Sequence, residues 1–217
     1  MDPGMNELLK WSVENSAAST ADPNAPPPSN RNLNPDALNT LFGGPSDADL
    51  MLSSMSSITS ADPALTLDDK LVAFDNFEQL IENLDNANNL GPLSLWTPLL
   101  GCLASEESEM RRMAAWCVGT AVQNNQTCQE RLLAMGGIPS LAKIAVNEAE
   151  GEAVRRKAVY ALSSACRNYQ PAMDVLTGEL GNIGREDWAK KIDASNMDAC
   201  DELIGAMREE AAKGKKA

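Results

Sequence analysis

Trp116, Thr120 and Asn124 stand four residues apart, the spacing that sets side chains on one face of a helix. Forty-four residues later the same three places are Tyr160, Ser164 and Asn168. An aromatic ring, a hydroxyl and an amide in a row make a surface that packs and hydrogen-bonds. Catalytic chemistry is poorly supplied elsewhere too. The 217 residues contain no histidine, which removes the commonest general base, the commonest zinc ligand and every Ser-His or Cys-His arrangement. The five cysteines, Cys102, Cys117, Cys128, Cys166 and Cys200, are widely spaced in alanine-rich apolar segments. They are expected to be buried thiols without a base to activate them. The acid pairs Asp68/Asp69 and Glu106/Glu107 fall at helix starts, where carboxylates favour the helix dipole. Gly43-Gly44 and Gly136-Gly137 lack the frame of a phosphate loop and read as turns. No catalytic residue, metal ligand or cofactor is expected, and the chain is not read as an enzyme.

Charge and hydropathy narrow the partners. The net charge is −13, and the one basic cluster, Lys213, Lys215 and Lys216, is a short tail, so a nucleic-acid surface is not expected. No stretch reaches the roughly 18 uncharged apolar residues of a membrane span. The start, MDPGMNELLKW, has neither a basic lead nor a continuous apolar run. Scattered cysteines in odd number fit a reducing compartment. The expectation is a soluble, cytoplasmic, monomeric protein.

The elements that must carry the Trp116 face lie in the second part of the chain. Residues 1–66 hold eight of the twelve prolines and two basic against eight acidic residues, and they read as a flexible arm. Two apolar islands interrupt it. One is NELLKWSVEN, with Leu8, Leu9, Trp11 and Val13; the other runs from Leu38 through LNTLFGG to Leu50, Met51, Met55 and Ile58, whose spacing of one, four and three residues suits one helical face. Docking on the protein's own core and service as interaction motifs both fit them. From Leu67 the pattern becomes helical: a first helix from Asp68 or Asp69 carrying Leu71, Val72, Phe74, Leu80, Ile81 and Leu84, then helices over 93–103, 109–123, 127–134, 138–146 and 152–167. Residues 67–182 form the repeat domain, and 183–217 are a linker and an amphipathic capping helix begun by Ser195 and carrying Met197, Cys200, Leu203, Ile204 and Met207.

RRMAAWCVGTAVQNN at 111–125 and RRKAVYALSSACRNY at 155–169 share their arginine pair, alanines and asparagine. A helical unit repeated at about 40–47 residues is in the range of HEAT and armadillo arrays, in which one unit cannot bury its apolar face alone. A fainter copy, displaced by 38, sets Glu78 against Trp116, Glu82 against Thr120 and Asn86 against Asn124. Residues 114–145, AAWCVGTAVQNNQTCQERLLAMGGIPSLAKIA, resemble an armadillo unit, which implies an all-α, armadillo-like solenoid. LLKWSVENS, LNPDALNTLFGG and KLVAFDNFEQLIENLDNANNL, in that order, resemble the fungal cytosolic armadillo-type nucleotide-exchange factors of the seventy-kilodalton heat-shock chaperone. The resemblance covers about residues 5–180 and weakens beyond Leu180, where the later helices of the third unit read as lost or replaced.

It implies a co-chaperone that grips the chaperone's nucleotide-binding domain and speeds ADP release. The arm, through Leu8, Leu9 and Trp11, would help free bound polypeptide. Relatives use the Asn83, Asn86 and Ala87 end of the array against that domain, and the small Ala87 would allow close approach; helix capping accounts equally well for the asparagines. In an armadillo stack the long helices line the groove, here Glu78 and Glu82, Trp116, Thr120 and Asn124, then Tyr160, Ser164 and Arg167. The Trp and Asn pairs of a peptide-binding groove do not recur, so the lining suits a folded partner with a basic edge facing Glu78 and Glu82. Trp116 and Tyr160 also read as half-buried core residues. Arg111, Arg112, Arg155 and Arg156 read as solvated residues pairing with acids such as Glu109 and Glu152. An armadillo adaptor for linear peptides is the alternative function.

Overall fold

In the computed structural model the described residues are 9, 11–13 and 43–213. The chain divides into two compact units, Met1–Ser46 and Asp47–Ala217. In the first, Leu9 and residues 11–13 are helical, with Leu9 and Val13 exposed. Leu8 and most of the expected arm lie outside the described residues.

The second unit is built from helices alone, among the described residues: α1 (Asp47–Thr59), α2 (Leu67–Ile81), α3 (Leu84–Asn89), α4 (Trp96–Gly101) with a 3-10 turn at Cys102–Ala104, α5 (Ser108–Val122), α6 (Gln126–Ala134), α7 (Gly137–Val146), α8 (Glu152–Cys166), α9 (Gln170–Asn182) and α10 (Met197–Ala212). None of them is long and apolar enough to cross a membrane. The all-α class expected from the sequence is the one observed.

Local chemistry sets the helix ends. Thr66 caps α2 in a reciprocal box: its hydroxyl accepts from the Asp69 amide at 3.2 Å and its own amide donates to the Asp69 carboxylate at 2.9 Å. Those bonds hold the Asp69 carboxyl below the ordinary carboxylate range. Asn83 and Asn125 cap α3 and α6. The repeat is visible in the backbone as well: Asn124 and Asn168, which follow α5 and α8, both have left-handed φ, 51° and 57°. Gly136 turns at φ 71° before α7. Gly137 lies so close to Leu132 that a Cβ would come within 2.1 Å of its side chain.

The three long helices α2, α5 and α8 lie side by side and begin at Leu67, Ser108 and Glu152, steps of 41 and 44 residues. The first step corrects the displacement of 38. At 41 the buried positions coincide: Ala73, Phe74, Phe77, Glu78 and Ile81 fall on Ala114, Ala115, Val118, Gly119 and Val122, and these fall on Ala158, Val159, Leu162, Ser163 and Cys166. Asp75 and Gln79, rather than Glu78 and Glu82, therefore match Trp116 and Thr120.

Further differences from the expectations have simple causes. Of the two readings left open for the second island, docking is the one observed: α1 buries Met51, Met55 and Ile58 and packs on α2. Met51 and Met55 are therefore unavailable as motifs. Val72 and Leu84, placed on the apolar face of α2, are 59% and 57% exposed, because Leu84 starts a new helix and Val72 points away from Phe74 and Phe77. The third unit keeps its next helix: Pro171 sits in the first turn of α9, and Ala172, Met173, Leu176 and Leu180 are buried. The capping helix α10 forms and buries Cys200, Leu203, Ile204 and Met207 against α7 and α8. Its cap is Asn196, which accepts from the Ala199 amide at 3.1 Å, while Ser195 donates its hydroxyl to Asp193.

Candidate functional site

The long helices share a face that polar contacts stitch together. On α5, Thr120 donates its hydroxyl to the carboxylate of Glu78 on α2 at 2.6 Å. Gln123, which ends α5, accepts from the Tyr160 hydroxyl of α8 at 3.1 Å. The Lys157 ammonium of α8 lies 3.6 Å from the centre of the Trp116 ring and 5.6 Å from that of Tyr160. Burial and the neighbouring Arg112 charge push the Lys157 pKa below its ordinary value.

Close approach of α5 and α8 makes this possible. A Cβ on Gly119 would stand 2.4 Å from the Tyr160 ring and 3.1 Å from the Ala161 backbone, so the ring packs directly against the glycine. The equivalent place in α8 is Ser163, also buried and small. Trp116 and Tyr160 are half-buried. The half-burial expected of them as core residues is the one observed.

The expected site residues divide into groups. Glu82, Asn83 and Asn124 are exposed at the ends of α2 and α5, and Trp116, Thr120, Tyr160 and Ser164 are half-buried on the shared face. Glu78 is different: only 6% exposed and bonded to Thr120, it cannot meet a partner's basic edge. Asn86 is spent within the fold, donating to Asp47 at 2.8 Å and to the Leu80 carbonyl at 3.0 Å, which fastens α3 to α1 and α2. Ala87 is 2% exposed, and its carbonyl faces the Cys128 thiol at 3.3 Å. It belongs to the packing rather than to an approach surface. Arg167 donates to Ser163 at 3.0 Å and pairs with Asp201 of α10, so it ties the cap to the stack. Leu9 and Trp11 lie in the other unit.

The arginine pairs also split. Arg112 and Arg156 meet Glu109 and Glu152 at 2.8 and 3.1 Å, the pairing expected. Arg111 and Arg155 are not solvated. Arg111 donates to Glu150 at 2.7 Å and to the Ser105 carbonyl at 2.6 Å, and Arg155, 2% exposed, donates to the Ala145 carbonyl at 3.0 Å. Among the described residues, each leaves one buried guanidinium nitrogen without a hydrogen-bond partner. The five cysteines are buried and unpaired. Burial raises their pKa, that of Cys128 to about 11, which keeps them protonated and unreactive near neutrality. Among the described residues no group of side chains could hold a metal ion.

Sequence reasoning missed Lys157, Gln123 and Gly119. Gly119 and Ser163 had a signal, small residues in equivalent places of two repeats. Gln123 had none, because its contact joins residues 37 apart in sequence.

Comparison with known proteins adds a second line. Residues 5–90 match the family described as nucleotide exchange factor Fes1, and residues 86–182 match the SIL1/FES1/HPBP1 C-terminal domain. A protein of Gibberella zeae named Hsp70 nucleotide exchange factor FES1 is 61% identical, over 98% of this chain and 99% of its own. The Neurospora crassa protein of that name is 50% identical, over 97% and 99%. The Saccharomyces cerevisiae protein is 45% identical over 76% of this chain and 57% of its own length.

Proposed function

The chain belongs to the Fes1 family of nucleotide exchange factors, and we propose that it acts as a non-catalytic co-chaperone that accelerates ADP release from an Hsp70 chaperone. The observation that carries the reading is the 61% identity over nearly the whole of both chains to a protein named for that activity. The face on α2, α5 and α8 supports a folded partner over a linear peptide. An extended peptide needs repeated aromatic and amide pairs, and here the first unit offers Asp75 and Gln79 where the second has Trp116 and Thr120.

On this reading the partner is the chaperone's nucleotide-binding domain. Trp116 and Tyr160 are the anchors, preorganised by Gly119 and Lys157. Glu82, Asn83 and Asn124 contribute an exposed polar rim at the helix ends, and Thr120 and Ser164 leave room between the rings. A factor that prefers the open, nucleotide-free cleft must weaken ADP by the ratio in which ADP weakens the factor. The protein works as a cytoplasmic monomer, and Leu8, Leu9 and Trp11 assist release of bound polypeptide.

Stopped-flow release of labelled ADP from a purified Hsp70 tests the proposal. The full chain should accelerate release; a folded chain that leaves the rate unchanged would sink it. Deleting residues 1–40 should leave ADP release intact and slow the loss of bound peptide, whereas equal loss of both would refute a separate task for that segment.

A further inference from the structure

We infer that the groove at the N-terminal ends of α5 and α8, flanked by α10, is a docking site for a short acidic segment of a partner protein. The groove has a volume of about 1030 Å³ and draws Glu109 and Arg112 from α5, Glu152, Arg156 and Lys157 from α8, and Arg208 from α10. Four cations and two carboxylates therefore line it. Both carboxylates are occupied, Glu109 by Arg112 at 2.8 Å and Glu152 by Arg156 at 3.1 Å. Among the described residues Lys157 and Arg208 form no salt bridge, which leaves the groove positive in a chain with 31 acidic and 18 basic residues.

Lys157 is the more telling of the two. Its ammonium is held over Trp116, partly out of water and close to the Arg112 charge. Both conditions disfavour the cation, the Glu78 carboxylate offsets them in part, and an entering carboxylate adds to that offset. The Tyr160 ring in the groove wall offers apolar contact to a side chain beside that carboxylate. Charge complementarity also limits the size of the occupant. An extended polyanion, whether nucleic acid or an anionic bilayer, would meet the net charge of −13 and be repelled, whereas a short peptide meets the groove alone. The inference goes beyond nucleotide exchange: the groove shares Tyr160 and Lys157 with the proposed chaperone-binding face and adds Arg112, Arg156 and Arg208.

Fluorescence anisotropy with the full chain tests it. The probe is a fluorescein-labelled decapeptide of Asp, Glu, Val and Leu; the control has serine in place of every acid. The acidic peptide should bind at least about tenfold more tightly than the control, and more weakly as salt rises. Arg208→Glu, an exposed substitution, should weaken it at least about fivefold with an unchanged melting curve and unchanged acceleration of ADP release. Lys157→Gln should also weaken peptide binding at least about fivefold; because Lys157 lies against Trp116 of the proposed chaperone-binding face, unchanged ADP release is read in Arg208→Glu alone. Equal binding of both peptides, or binding untouched by Arg208→Glu, overturns the inference. So does binding of a thymidine decamer or phosphatidylserine vesicles as tight as that of the acidic peptide. Loss of ADP-release acceleration in Arg208→Glu would make the groove part of the exchange face and overturn it as a separate site.

Discussion

Ala87 and Glu82 lie five residues apart and should respond oppositely to charge. Ala87 is enclosed at the junction of α3 with the stack, beside the Cys128 thiol. Ala87→Glu places an unpaired carboxylate there and should destabilise the fold by about 3–5 kcal/mol, read as a lowered urea midpoint. Any loss of ADP-release acceleration would then follow unfolding and would not mark a contact. Glu82 is exposed. Glu82→Lys should change stability by less than about 0.5 kcal/mol. If the rim meets a basic edge, it should raise the concentration needed for half-maximal ADP release by about fivefold. Glu78 cannot report on a partner in this way, because Thr120 already holds its carboxylate.

At the scale of elements, α1 matters most for the limits of the packed unit. Met51, Met55 and Ile58 cover α2, Asn86 bonds Asp47, and Lys70 of α2 donates to the Ser60 carbonyl just after α1 at 2.7 Å. A fragment beginning at residue 47 should melt like the full chain, and one beginning at residue 67 should melt well below it, having lost the cover over Phe74 and Phe77. Met51→Ala in the full chain should cost about 2–4 kcal/mol in denaturant unfolding. Helical periodicity at Met51, Met55 and Ile58 was visible in the sequence; their destination was not, since the proline-rich surroundings averaged the helix into an arm. The 41-residue step was equally hidden. Aligning like with like set Glu78 against Trp116, whereas burial sets it against Gly119.

The whole molecule carries its thiols as a pH-dependent stability term. Burial raises the pKa of all five cysteines above the ordinary 9.0, Cys128 to about 11. The folded state thus holds protons that the unfolded chain releases first. The resulting stability is fully present below pH 9.0 and is lost as pH rises, for Cys128 between 9.0 and about 11. The urea midpoint should therefore fall between pH 8 and pH 10.5 in the wild type and fall less in Cys128→Ala. An equal decline in both would assign the effect to other groups. Thiol reagents at neutral pH should modify the native protein only as fast as it opens.

Sequence alone was sufficient for the helical class, the repeat, the ends of α5 and α8 to within a residue, and the absence of histidine chemistry, because these are properties of local patterning and composition. Family resemblance was legible for the same reason: its motifs are contiguous. The site was legible only in outline. Trp116, Thr120, Tyr160 and Ser164 were visible as a face from spacing within one helix, but whether a polar residue on that face is available depends on what packs against it. Tertiary structure decided that Glu78, Asn86 and Arg167 are spent within the fold, that Ala87 is enclosed, and that Lys157 lies over Trp116. These contacts join residues 39–42 apart for Asn86, Glu78 and Ala87, 34 apart for Arg167, and 41 apart for Lys157. No local pattern encodes such pairings, because each depends on the register in which neighbouring helices stack.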